Sequence, residues 1–151
     1  MTYLTSALLT YALATPEYDA LKQLLERPWE GEGVQSATFT SSGKLVTRHT
    51  LQLKANETLN LSGTFQTILI LDNVTYKATY DVSAEYLSTQ QSIVVNGRLS
   101  SHDTLPHGLI FCSFTGKLQL GNDTSRPGHY GMKGGLDYAC DARTELVMRT
   151  Q

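Results

Sequence analysis

The chain has 151 residues, of which 40% are hydrophobic and 17% are charged, and its formal net charge is −2. This length and composition predict one folded domain with a hydrophobic core and argue against disorder. Its twelve lysines and arginines are scattered, so there is no basic stripe to neutralise a phosphate backbone, and nucleic acid is not an expected partner. No apolar run reaches the roughly 18 residues that a transmembrane helix needs, so no membrane span is expected.

The first residues form an apolar run, 1–14, which ends at Ala12-Leu13-Ala14. Such a run resembles the hydrophobic region and small-residue cleavage site of a secretory signal peptide. The basic start of a signal peptide is missing, however, because the first basic residue is Lys22. We therefore expect an amphipathic or core-capping helix here, and we favour a cytoplasmic location over a secreted or periplasmic one.

A helix is predicted to begin at Thr15, because threonine is a common N-cap residue and Pro16 suits the first helical position. Apolar residues spaced three and four apart follow on one side of this helix: Tyr18, Leu21, Leu24 and Leu25. Pro28 ends it. Residues 1–28 are thus expected to form an N-terminal helical segment.

Alternation of apolar and polar residues dominates the rest of the chain. In the stretch 75–82 the residues Tyr76, Ala78, Tyr80 and Val82 share one face. A period of two indicates antiparallel strands with one buried and one solvated face. The predicted strands are 34–41, 44–54, 57–71, 74–83, 91–100, 107–120, 129–140 and 144–150. The solid apolar run 68–71 is expected to be buried on both faces.

Strands joined by short turns predict an all-β fold. We expect residues 29–151 to form an antiparallel up-and-down barrel of about eight strands, with the N-terminal helix at one end. Successive hairpins close a barrel without long crossings, and closure leaves no unpaired edge strand. A sandwich is the alternative.

The N-terminal helix, the sequence Trp29-x-Gly31-x-Gly33 and the run of hairpins together resemble the lipocalin and calycin-like barrels. The resemblance covers the architecture of residues 16–151, although here the glycines follow the tryptophan and do not precede it. It implies that the barrel interior binds a small apolar or amphipathic molecule, as in a carrier or storage protein.

The alternation also predicts which side chains face the interior, and several of these are polar or aromatic. A buried phenol or imidazole needs a hydrogen-bond partner, since leaving it unpaired costs about 1–3 kcal/mol. We expect His49 to be the polar anchor of a ligand cavity. The other predicted wall residues are Tyr76, Tyr80, Tyr130, Met132 and Tyr138. The alternative is a packed core whose tyrosine hydroxyls reach solvent at the rim.

No residue is predicted to be catalytic, to bind a metal or to hold a cofactor. The segment 101–107 contains His102, Asp103 and His107, but this spacing is more typical of a solvated turn than of a metal site. Cys112 lies among apolar residues, where a cysteine is usually an inert core thiol.

The two cysteines of the chain are Cys112 and Cys140, and both share the apolar parity of their predicted strands. They are a candidate disulfide if the two strands form a hairpin across the loop 121–128. Two other function classes stay open. One is a protein-binding barrel, such as an inhibitor, immunity or envelope factor. The other is a barrel isomerase or cyclase with interior tyrosine and histidine as acid and base. The oligomeric state is left open.

Overall fold

The computed structural model describes residues 16–37, 40, 42–123 and 125–150, in which the chain forms one helix and eight strands. In chain order these are α1 (Pro16–Leu25), β1 (Trp29–Ser36), β2 (Lys44–Ala55), β3 (Asn60–Leu71), β4 (Val74–Leu87), β5 (Ser92–His102), β6 (Phe114–Asn122), β7 (Tyr130–Tyr138) and β8 (Arg143–Thr150). The apolar run 1–14 and the predicted N-cap Thr15 lie outside the described residues.

The eight strands form a closed antiparallel barrel in simple sequence order. Each strand pairs with the next, and β1 also pairs with β8, where Trp29 lies opposite Thr150 and Val34 lies opposite Glu145. The predicted all-β, up-and-down barrel of about eight strands is therefore confirmed. This architecture is compatible with that of the lipocalin-like barrels.

Alternating burial along the strands explains why the barrel forms. In β2, for example, every second residue from Leu45 to Leu53 is buried, whereas the residues between them are exposed. The inward side chains of all eight strands form one apolar core that excludes water. A void among the core side chains in the lower half of the barrel measures only about 10 Å³, as expected where side chains fill a small barrel.

Helix α1 closes the lower end of the barrel. The Leu25 side chain is fully buried, and the Trp29 indole N–H donates a hydrogen bond to the Leu25 carbonyl (3.3 Å). The Tyr18 hydroxyl donates to the carbonyl of Asn56 (2.7 Å), and the Glu26 carboxylate accepts from the backbone N–H of Ala55 (2.9 Å). These contacts attach the helix to the β2–β3 turn.

Two differences from the sequence prediction concern strand limits. β1 begins at Trp29, five residues before the predicted start, and β6 begins at Phe114, not at residue 107. Residues 103–113 form an irregular segment instead, which we call the cap. His107 and Gly108 have positive φ angles of 61° and 70°, which no strand residue adopts, and Pro106 precedes them.

A third difference concerns the outer face of the barrel. Ile70 was expected to be buried but is 59% exposed. It lies opposite Thr75 in β4 and points outward, because the strand alternates without a break through the run 68–71. The neighbouring outward residues Val34 and Val46, which pair across β1 and β2, are 36% and 51% exposed. The strand therefore has one buried face, as in a simple barrel.

Candidate functional site at the capped mouth

The upper half of the barrel contains a polar layer centred on His49. The His49 side chain is 2% exposed, and its Nε2 and Nδ1 atoms lie 2.6 Å from Thr47 Oγ1 and 3.0 Å from Thr67 Oγ1. Burial lowers the pKa of His49 to about 3, so the imidazole is neutral. In a neutral ring one nitrogen donates and the other accepts, and the two threonine hydroxyls satisfy both.

Aromatic rings form a second layer beside this histidine. His49 stacks on Phe65 with ring centroids 4.9 Å apart, and Phe65 meets Phe114 edge to face at 5.1 Å. Phe114 in turn contacts Tyr80 at 5.0 Å and Tyr138 at 5.5 Å, again edge to face. Such contacts hold rings in fixed orientations, so the two phenols keep defined positions above the core.

A cavity of about 60 Å³ lies above these rings, between the barrel mouth and the cap. Its polar lining comes from the barrel wall: Gln35, Thr47, Thr67, Tyr80, Tyr138 and Thr144. Its apolar cover comes from the cap: Leu105, Leu109, Ile110 and Phe111. The site is therefore polar on one side and apolar on the other, and it is small.

Tyr80 contributes an unpaired hydroxyl to the cavity wall. The side chain is only 1% exposed and lines the cavity, yet its hydroxyl makes no hydrogen bond to any residue in the described part of the chain. Burial, with a smaller effect from neighbouring Tyr138, raises the pKa of the Tyr80 phenol, so it keeps its proton. Burial raises the pKa of Tyr138 to about 12, an effect that the Thr144 side chain partly offsets.

The cap is attached to the barrel at both of its ends. At its start the Asp103 backbone N–H donates to the carbonyl of Lys77 (2.9 Å), and the Asp103 carboxylate accepts from the Lys77 N–H (2.8 Å). At its end a disulfide joins Cys112 to Cys140, with the two α-carbons 6.1 Å apart. Leu105 and Leu109 also pack against a small apolar cluster at the rim: Ala37, Leu45, Leu69 and Leu71.

The register of the β6–β7 hairpin explains the disulfide. Phe114 lies opposite Tyr138, so continuing the pairing by two residues brings Cys112 opposite Cys140. Cys112 is 9% exposed, whereas Cys140 is exposed in the β7–β8 turn. With both sulfurs in this bond, neither cysteine has a thiol to serve as a nucleophile.

The predicted wall residues do not share one cavity. Tyr80 and Tyr138 line it, and His49 lies directly beneath it through its two threonine partners. Tyr76 is half-buried and packs beside the mouth, against the rim cluster. Met132 is 1% exposed and belongs to the main core.

Tyr130 has the inward parity of β7, but it does not line the cavity with the other predicted wall residues. Its side chain is 40% exposed and borders a surface groove between α1 and the ends of β6 and β7. The residue is the first of β7, and the inward alternation of that strand begins with Met132. Tyr130 therefore lies at the opposite end of the barrel from the cavity.

The sequence interpretation missed the threonines and Gln35. Thr47, Thr67 and Thr144 share the inward parity of their strands, each two residues from a predicted interior residue, so the signal was present. Threonine is common on both faces of a strand, so these residues do not stand out among the apolar, tyrosine and histidine positions. Gly33 was also missed as a site residue. A Cβ on it would contact the Thr144 methyl group and lie 2.8 Å from His49 Nε2.

The histidines of the 101–107 segment lie apart from the cavity wall. His107 Nε2 lies 3.4 Å from the Asp72 carboxylate on the surface, and His102 Nδ1 lies 2.9 Å from the Asp103 carbonyl. Within the described residues no group of three or more histidine, cysteine or acidic side chains is arranged to hold a metal ion. The helix found there is also too short and too polar to cross a membrane.

In comparisons with known proteins, neither a family model nor a curated protein matches the chain. The fold and the site define a closed eight-stranded antiparallel barrel with a small, capped, partly polar cavity at one end.

Proposed function

We propose that this protein is a small-ligand-binding barrel, of the carrier or storage type, and that its ligand occupies the cavity beneath the cap. The observation that carries the proposal is Tyr80: its side chain is only 1% exposed and lines the cavity, and its hydroxyl has no hydrogen-bond partner among the described residues. An unpaired buried hydroxyl costs about 1–3 kcal/mol, and a bound molecule that pairs with it recovers this free energy.

The volumes of the two voids support binding in the mouth and not along the whole barrel. Binding sites for drug-sized ligands have volumes of about 300–1,000 Å³. The cavity here measures about 60 Å³, and the void in the lower half about 10 Å³. A fatty acid or retinoid therefore fits only if the cap moves away, whereas a compact molecule fits beneath it.

The test is native mass spectrometry of the freshly purified full chain for a co-purified molecule, followed by a thermal-shift screen of small compounds. Hits are then titrated against Tyr80→Phe and the matched control Tyr130→Phe, whose ring lies at the other end of the barrel. We expect Tyr80→Phe to keep the fold but weaken binding, and Tyr130→Phe to bind as the wild type does. The proposal fails if no compound binds, or if every hit binds both variants equally.

A second candidate is protein binding through the outer face, which the exposed row Val34, Val46 and Ile70 favours. The first partner to test is another copy of the chain. Sedimentation of wild type and Val46→Lys would show a concentration-dependent dimer that the substitution abolishes. A monomer at all concentrations would contradict it.

A further inference from the structure

We propose that the cavity beneath the cap selects an uncharged, compact ligand that carries a carbonyl-type hydrogen-bond acceptor. This inference rests on the proposed function, because it assigns a ligand class to the same site. It is carried by three features of the cavity: the charge of its wall, the direction of its free hydrogen bond and its volume.

The cavity wall offers no charge. Every described residue that lines it is aliphatic, aromatic, a threonine, a glutamine or half of the disulfide. The nearby basic ring, His49, is held neutral by burial and is bonded to threonines on both nitrogens. A carboxylate or ammonium group placed here would lose its hydration without gaining a counter-charge, which costs several kcal/mol. Charged ligands are therefore excluded.

The unpaired hydroxyl of the wall acts as a hydrogen-bond donor, so the matching group on the ligand is an acceptor. The other wall hydroxyls are occupied: Thr47 and Thr67 bond His49, and the Thr144 hydroxyl donates to Gln35 Oε1 (2.9 Å). Of the two phenols in the wall, Tyr138 has the Thr144 side chain as its hydrogen-bond partner. The Tyr80 phenol has no partner among the described residues, and it keeps its proton because burial disfavours the phenolate. A protonated phenol is a better donor than acceptor. The matching ligand group is an acceptor such as an amide or ketone oxygen.

The volume sets the size of the ligand. On the same measure one water molecule needs roughly 10–15 Å³. The cavity of about 60 Å³ therefore holds a molecule of about four to six non-hydrogen atoms. The apolar side chains that cover it, Leu105, Leu109 and Phe111, would contact the hydrocarbon part of such a ligand. The expected ligand is a short branched amide or ketone, not a sugar or a long lipid.

Two isosteric probes separate charge from shape: isobutyramide, which is neutral, and isobutyrate, which is anionic. Each is titrated into the ¹⁵N-labelled full chain, and amide chemical shifts are followed by NMR. We expect isobutyramide to shift amides of the cap and of the upper ends of β2 and β7 in a saturable way. Isobutyrate should bind at least about tenfold more weakly, because its charge is desolvated without a partner.

Variants locate the binding and test the hydrogen bond. Tyr80→Phe should weaken isobutyramide binding about three- to tenfold, the worth of one hydrogen bond. Tyr130→Phe should leave it unchanged. Isobutyrate binding as tightly as the amide would overturn the ligand class but leave the proposed site intact. Binding of neither probe at the mouth, or binding that ignores Tyr80→Phe, would also overturn it. The proposed site itself fails on its own test: if the mass spectrometry and the compound screen find no ligand, or if every hit of that screen binds Tyr80→Phe and Tyr130→Phe equally.

Discussion

His49 shows how the polar layer controls charge inside the barrel. The imidazole has a hydrogen-bond partner on each nitrogen, Thr47 and Thr67, and each partner is a hydroxyl that either donates or accepts. Neither threonine can neutralise an imidazolium, so the environment satisfies the neutral ring and penalises the charged one. The histidine is thus a structural polar group of the site, and its titration is a property of the fold.

This arrangement predicts a pH-dependent stability. The folded-state pKa of His49 is lowered from 6.5 to about 3, so below pH 6.5 the unfolded chain binds a proton that the folded chain does not. Stability is therefore fully present above pH 6.5 and is lost as the pH falls towards 3. From this group alone we expect the free energy of unfolding to drop by about 2 kcal/mol between pH 7 and pH 5.

Urea denaturation at both pH values measures this effect. His49→Gln should remove the part of the pH dependence that His49 supplies, whereas His107→Gln, which alters an exposed histidine, should keep it. An unchanged pH dependence in His49→Gln would show that the ring does not titrate with folding.

Gly31 lies where two strands of the barrel approach closely. It lies opposite Met148 in β8, and a Cβ built on Gly31 would overlap the backbone carbonyl oxygen of Val147. The glycines after Trp29 therefore let β1 approach β8 closely where the barrel closes. The sequence motif thus reflects barrel closure.

We expect Gly31→Ala to lower the free energy of unfolding by at least about 1–3 kcal/mol, because a backbone atom cannot move aside as a flexible side chain can. Gly121→Ala, also in a strand, is the matched control, since a Cβ there meets no atom within 4 Å. It should change stability by less than about 0.5 kcal/mol. Equal urea midpoints for the two variants would contradict this explanation.

Among the elements, the cap is the one that determines access to the site. It forms no strand and is attached through the Asp103–Lys77 hydrogen bonds, two leucines, the disulfide and Ser113, which accepts hydrogen bonds from the Leu99 and Ala139 N–H groups. The disulfide encloses a loop with a sequence separation of 28 residues, which contains the whole β6–β7 hairpin. Disulfides are typical of proteins in oxidising compartments, whereas the cytoplasmic location that the sequence favoured stays a prediction.

The double variant Cys112→Ala/Cys140→Ala should lower the free energy of unfolding by about 3–4 kcal/mol, the chain-entropy value for a loop of this length. We also expect the amides of residues 109–113 to exchange faster with solvent, because the cap loses the covalent part of its attachment at this end. Urea denaturation and hydrogen exchange of wild type and variant measure the two effects. Unchanged stability and unchanged exchange together would show that leucine packing alone holds the cap.

The elements also show what sequence reasoning can reach. Alternation predicted the strands and the barrel because a closed sheet buries every second residue, as β2 shows from Leu45 to Leu53. Residues 107–113 of the cap were predicted as part of a strand because Ile110, Cys112 and Phe114 share the same parity. Yet the positive φ angles at His107 and Gly108 depend on how the loop docks. The alternation also placed Tyr80 and His49 inside the barrel. It cannot say at which height along the barrel an inward residue lies, and Tyr130 therefore lies at the opposite end from the cavity.

At the level of the whole molecule, closure of the barrel also forms part of the cavity wall. The β1–β8 seam joins residues far apart in sequence, such as Trp29 and Thr150, and it brings Gln35 of β1 beside Thr144 of β8 at the mouth. The polar wall of the cavity thus exists only when the seam is formed. Helix α1 closes one end and the cap the other, so the described barrel has a packed lower half and a small cavity above it.

Closure makes a final prediction about hydrogen exchange. In a closed barrel β1 and β8 are paired on both sides, so their amides should exchange as slowly as those of β3 and β4. In an open sheet each would be an edge strand, with every second N–H facing solvent. Exchange measured by NMR on the full chain distinguishes the two cases. Amides 88 and 89 of the β4–β5 turn should exchange rapidly and serve as the internal reference. Rapid exchange at alternate residues of β8 would show that the seam is open, and the cavity wall at Gln35 and Thr144 would then be incomplete.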